Sequence, residues 1–117
     1  KELRLIMKMI SEPSMYKEQL TFFVGDLNAV PDSDEMKVLN AYPEFVCLTN
    51  DIGMTYHGYF LEKEFNENST SPQIDYIFAR GDVNLSSVEK WTDEQNGVYL
   101  SDHYPVSVIV EIKNNQR

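Results

Sequence analysis

The chain has one cysteine, few glycines and prolines, and no long apolar run. A single cysteine, Cys47, rules out an intrachain disulfide. It sits in Phe-Val-Cys-Leu and reads as a small packed side chain rather than a nucleophile. No stretch approaches the ~20 apolar residues of a membrane span, and no signal-peptide pattern opens the chain. One cysteine and the absence of a leader pattern lean toward a cytoplasmic setting. Basic residues are also scarce, 10 Lys and Arg against 19 Asp and Glu, for a net charge of -9. That balance excludes a broad basic face gripping nucleic acid through phosphates alone. It does not exclude a phosphate-bearing substrate, because a bound divalent cation reverses the local field. No internal repeat, low-complexity tract or linker divides the 117 residues, which fit one domain. With 42% hydrophobic residues, 12% of the chain being aromatic, it can build a core.

Leu3, Ile6, Met7 and Ile10 recur at helical spacing, which predicts an amphipathic helix over 2–10, ended near Pro13. Leu20 to Val24 read as a buried strand. Pro31 to Ser33 make a helix start, with Asp32, Asp34 and Glu35 suited to a first turn, and Met36 to Asn40 a short helix. Phe45 to Leu48, Ile74 to Ala79, Val83 to Trp91 and Pro105 to Ile112 read as further strands. In the third of these, alternation breaks between Leu85 and Val88. Thr55 to Phe60 is a strand end or a loop over a cleft, 62–73 a polar loop, and Asp93 to Gly97 a turn. Trp91 reads as core or rim packing. Helix, loop and buried strand in that order suggest a layered α/β or α+β architecture.

Three polar clusters stand at the edges of apolar strands. Gly25-Asp-Leu-Asn closes the first strand, where Asp26 and Asn28 would share one side of an extended backbone. Gly, Asp and Asn are ordinary turn formers, so a plain turn is the competing reading. A calcium loop starting at Asp26 fails, because Pro31 and Lys37 occupy the positions that need Gly and Glu. Asp75 lies inside an apolar strand, and a buried carboxylate costs several kcal/mol, roughly, unless paired. Ser101-Asp-His precedes the last strand. Carboxylates about 4 Å apart repel by about 4 kcal/mol at an effective dielectric near 20. Clustering therefore implies raised pKa values or a bound cation, and oxygen ligands favour Mg²⁺ or Mn²⁺ over Zn²⁺. His57, alone in its aromatic segment, reads first as structural and second as a substrate-side contact.

Gly25-Asp-Leu-Asn, Ile74-Asp-Tyr-Ile and Ser101-Asp-His-Tyr-Pro-Val resemble, in that order, the motifs of the endonuclease/exonuclease/phosphatase superfamily, the DNase-I-like phosphodiesterases. Thr55-Tyr-His-Gly-Tyr resembles a segment of its bacterial members. The resemblance implies a four-layer α/β/β/α sandwich with mostly antiparallel sheets, of which this α+β chain is the C-terminal half. It implies a Mg²⁺-dependent phosphodiesterase or phosphatase, with Mn²⁺ as an alternative metal. Asp26 would orient or deprotonate the attacking water and Asn28 steady it. His103 would contact the phosphate or move a proton, Asp75 would hold its imidazole, and Asp102 would bind the metal. The substrate would be a phosphate ester, whether nucleic acid, lipid headgroup or small molecule. The competing class is a non-catalytic interaction module that keeps the fold.

The family's N-terminal half supplies an Asn, a Glu and another His, and nothing before residue 20 matches them. A half-sandwich should expose an apolar sheet face and self-associate. Residues 1–117 alone are expected to bind Mg²⁺ weakly and to be nearly inactive. Activation of the purified chain by Mg²⁺ of about a hundredfold or more, a general acid–base-sized effect, would contradict that.

Overall fold

A computed structural model describes residues 2–11, 20–60 and 73–113. The polar stretch 62–72 and the Pro13 helix end lie outside the described residues. Helix α1 spans Glu2–Ser11 and closes with Met7 fully buried, as its apolar spacing requires. Strand β1 (Thr21–Asp26), β2 (Val46–Cys47) and β3 (Asp75–Arg80) form an antiparallel sheet in the order β1-β3-β2. Between β1 and β2 lie helix α2 (Asp34–Lys37) and a 3₁₀ turn at Val38–Ala41. The Ser33 hydroxyl caps α2 by accepting from the Met36 N–H at 3.3 Å, and Asp34 and Glu35 sit in its first turn.

One face of this sheet meets the helices. Tyr76 and Phe78 from β3 join Met7, Ala29, Met36 and Phe45 in the core, with Phe23 of β1 packed against them. Arg80 pins the layers together: its guanidinium donates to the Ile10 carbonyl at 3.2 Å and the Thr21 hydroxyl at 3.0 Å, over the Phe45 ring. The other face is open. Phe22 is 42% exposed, Val24 59% and Val46 58%, so β1 is half-buried, not enclosed on both sides as its composition suggested. Composition alone does not separate a strand covered on two faces from one whose second apolar face stays open.

Strands β4 (Val83–Lys90) and β7 (Val106–Ile112) pair antiparallel in a second sheet. The register slips between Leu85 and Ser87, which is the break in alternation, read now as a β-bulge. Leu85 and Val88 are not enclosed; they are 43% and 37% exposed. Trp91 sits on the rim, its indole N–H donating to the Ser107 hydroxyl at 3.1 Å. The expected turn at 93–97 is the tip of a small hairpin, β5 (Glu94–Gln95) with β6 (Val98–Tyr99). Asn96 (φ 54) and Gly97 (φ 79) are both left-handed, as an Asn-Gly hairpin turn requires.

Tyr76 ties together the two loops at the Asp26–Asp75 end of the β1–β3 pair. Its hydroxyl reaches the Ala29 carbonyl at 2.6 Å and the Gln73 carbonyl at 2.9 Å. Burial, then the charges of Cys47, Asp75 and Asp32, push this phenol up to about 12, so it remains a donor at neutral pH. Tyr76→Phe is expected to cost about 1–3 kcal/mol in urea unfolding, the penalty of unpaired buried carbonyls. A change within about 0.5 kcal/mol would mean the hydroxyl holds neither loop.

Candidate active site

The register of β1 on β3 runs from Thr21 opposite Arg80 to Asp26 opposite Asp75. Two carboxylates therefore face each other at the end of the sheet. Leu27 N–H donates to the Ile74 carbonyl at 2.8 Å, which makes the Asp26–Asp75 pair the non-hydrogen-bonded kind, where side chains lie closest. Like charges placed opposite one another destabilise a sheet. A hydrogen-bond donor or a positive charge must offset them.

His103 does so from the loop before β7. Its Nδ1 donates to Asp75 Oδ2 at 2.8 Å, and its Nε2 lies 3.8 Å from Asp26 Oδ2. One ligand-type atom from each of Asp26, Asp75 and His103 falls within 4.8 Å of the other two. Asp75 is the sheltered carboxylate and Asp26 the open one, with side chains 20% and 45% exposed. Burial alone would lower the imidazole pKa. The hydrogen bond to Asp75 and the charges of Asp75, Asp26 and Asp102 outweigh it and hold His103 above its ordinary 6.5.

Gly25 and Asn28 shape the open side. Gly25 is paired in β1 at φ 144, and a Cβ there would meet nothing within 4 Å. Its backbone angle, not close approach by a neighbour, is what asks for glycine. Asn28 does not reach Asp26 by strand alternation as expected. β1 ends at Asp26, Asn28 is left-handed at φ 54, and its N–H donates to Asp26 Oδ1 at 2.8 Å. The turn reading and the site reading hold together here: an Asx turn sets the Asp26 carboxylate.

Asp102 is placed differently from its neighbour. The Asp102 carboxylate is outside the Asp26–Asp75–His103 cluster. It accepts from the Ser101 hydroxyl at 3.3 Å and acts on His103 only through its charge. His57 is not brought to the cluster either. It is fully buried, with Nε2–H donating to the Ser101 carbonyl and Nδ1 accepting from the Tyr59 N–H, both at 2.8 Å. A ring with no exposed surface offers nothing to a substrate, so the substrate-side role gives way to the structural one. A cleft of about 340 Å³ opens beside Asp75 and His103, walled by Val24, Ile77, Pro105 and Val106.

Sequence reasoning passed over Thr49, Thr55 and Gln73, all buried. The two threonine hydroxyls take the N–H groups of Ile77, Ile74 and Asp75, and the Gln73 amide donates to the Thr49 carbonyl at 2.8 Å. The brevity of the β2 pattern was the one available signal, since β3 continues past it and its N–H groups need other acceptors.

With this geometry in hand, the comparisons are direct. Residues 14–103 match the Endonuclease/Exonuclease/phosphatase family, and the chain belongs to it. Its fold is that of a solved endonuclease/exonuclease/phosphatase from Bacteroides vulgatus: TM-score 0.73 at 21% identity, over 95% of this chain and 42% of that one. A family protein from Bacteroides thetaiotaomicron superposes with TM-score 0.73 at 17% identity, over 97% and 43%. A mannosyl-6-phosphatase from the same species gives 0.70 at 18%, over 94% and 44%. The chain thus spans less than half the length of these structures. No curated protein matches it significantly.

The raised His103 pKa sets a pH dependence. Its folded value lies above the unfolded one, so the stabilisation is fully present below about 6.5 and is lost as pH rises through the folded value. The urea midpoint should fall across that window, and His103→Gln should remove the slope. A slope that persists in His103→Gln would place the titrating group elsewhere.

Proposed function

We propose that this chain supplies half of the active site of a divalent-metal-dependent phosphate-ester hydrolase. The observation that carries the reading is the Asp75–His103 hydrogen bond at 2.8 Å, with the other ring nitrogen facing the exposed carboxylate of Asp26. A histidine held by one carboxylate beside a second, open one is suited to proton transfer and to meeting a developing negative charge.

In this reading Asp26, fixed by the Asn28 N–H, orients or deprotonates the attacking water, and the Asn28 side chain steadies it. His103 faces the phosphate with its proton supply held by Asp75. The donor set fits a hard cation only in part. Asp26 is an open oxygen ligand, whereas Asp75 Oδ2 is already taken by His103. Asp26 would hold Mg²⁺ or Mn²⁺ together with groups beyond this chain, with Asp102 adding charge from outside the cluster, in keeping with a metal bound by one or two carboxylates plus substrate phosphate. When bound, the cation would supply neutralisation of charge at phosphorus. The phosphatase among the structural neighbours and the net charge of -9 favour a small phosphate ester over long duplex DNA.

The test is hydrolysis of aryl phosphate mono- and diesters, with and without Mg²⁺, by a full-length domain containing this chain. Asp26→Ala and His103→Ala should each lower kcat by about 10²–10⁴. Mg²⁺-dependent turnover that survives in both variants would assign the chemistry to other residues.

A further inference from the structure

The geometry points to Thr55 and His57 as positioning residues: the Thr55–Gly58 segment is a strap that sets the Asp75 carboxylate and the His103 ring in register. Its catalytic consequence rests on the hydrolase reading above; its geometry does not.

The strap begins where β2 stops. β2 pairs with β3 only at Val46–Ala79 and Cys47–Phe78, followed by the Leu48 N–H to the Ile77 carbonyl. From there toward the site, no strand continues the ladder on that side of β3 among the described residues. Thr55, fully buried, takes its place. Its Oγ1 accepts from the Ile74 N–H at 2.9 Å and the Asp75 N–H at 3.2 Å. Its own carbonyl accepts from the Tyr104 N–H at 2.7 Å. One residue thereby joins the backbone that bears Asp75 to the residue after His103.

His57 secures the other flank. Its Nε2–H donates to the Ser101 carbonyl, while its backbone N–H and that of Gly58 both donate to the Asp102 carbonyl, at 3.0 and 3.1 Å. Three N–H groups thus converge on the two residues ahead of His103. The Tyr59 N–H on Nδ1 fixes the ring as the neutral Nε2–H tautomer, because that nitrogen must accept. Left-handed φ angles at Gly58 (56°) and Tyr59 (60°) fold the chain back to make this bond. Tyr99 and Tyr104 pack on the imidazole at 4.5 and 4.7 Å between centroids. Tyr56, between the two, bridges to His103 through the backbone and lays its ring 5.0 Å from the imidazole. Lys90 anchors the approach, its Nζ donating to the carbonyls of Ile52 and Met54 at 2.6 and 3.0 Å.

Buried hydroxyls and imidazoles need hydrogen bonds wherever they lie. What marks these two is where the bonds go: to residues 74, 75, 101, 102 and 104, the backbone on either side of Asp75 and His103. A dyad carried on two separate segments keeps its geometry only as well as those segments are tied.

The chain has two histidines, so ¹⁵N-histidine labelling resolves both rings. The readout is the His103 Nδ1 proton shared with Asp75, a signature that general loss of stability does not move while the protein stays folded. Thr55→Val keeps the shape and removes the acceptor; it should broaden or abolish that resonance while His57 keeps its Nε2–H pattern. Thr55→Ser should restore it. His57→Asn keeps an acceptor for Tyr59, but its shorter amide does not reach the Ser101 carbonyl, and it should also abolish the resonance; His57→Gln, whose longer amide places an N–H at the Nε2 position, should recover it. If Thr55→Val does not fold, the His57 pair decides. Folded variants with lower melting temperatures and an unchanged His103 resonance would overturn the proposal and leave both residues structural. Loss of the resonance in a domain that proves inactive on phosphate esters would support the strap and sink only the hydrolase reading.

Discussion

Two aspartates forced to face each other at the end of one strand pair are the constraint around which the site is built. Ligand atoms of Asp26 and Asp75 lie within 4.8 Å of each other, close enough for like charges to repel across the strand pair. The arrangement is tolerable because the His103 imidazole stands between them, hydrogen-bonded to the sheltered carboxylate and facing the open one. Each local feature serves that juxtaposition. The β1–β3 register aligns the aspartates, the Gly25 backbone and the Asx turn at Asn28 set Asp26, and Tyr76 holds the loops behind both. The same electrostatics account for the direction of the His103 shift.

The chemistry was more legible in the sequence than the architecture that delivers it. Asp75 announced itself because a carboxylate in an apolar strand needs a partner, and the structure gives it His103. Alternation located β3, and its break in β4 located the bulge. Burial was not legible in the same way: apolar strands read as enclosed, yet Phe22, Val24, Leu85 and Val88 are exposed. Whether an apolar face is covered depends on what packs over it, which no local pattern records. Thr55, Thr49 and Gln73 were silent because a buried threonine and a surface threonine look alike until the unpaired backbone they serve is known. His57 was visible as a histidine, but only the fold separates a ring that faces substrate from one that braces a loop.

One apolar sheet face is exposed, with Phe22, Val24 and Val46 uncovered. This chain corresponds to less than half the length of the solved members of its family that it superposes on. Among the described residues, helices cover one face of the β1–β3–β2 sheet, Asp75 and His103 are hydrogen-bonded, and Ser33 caps α2. The Asp75–His103 pair, to which the proposal assigns proton transfer, lies wholly within the chain.

The central claim is that Asp75 fixes the tautomer of His103 and, with Asp26, its charge. The direct measurement is the pH dependence of the ¹⁵N shifts of the His103 ring in this chain. The account predicts a midpoint above 6.5 and, once the ring is neutral, a proton retained on Nδ1. A midpoint at or below 6.5, with the neutral ring carrying its proton on Nε2, would contradict it.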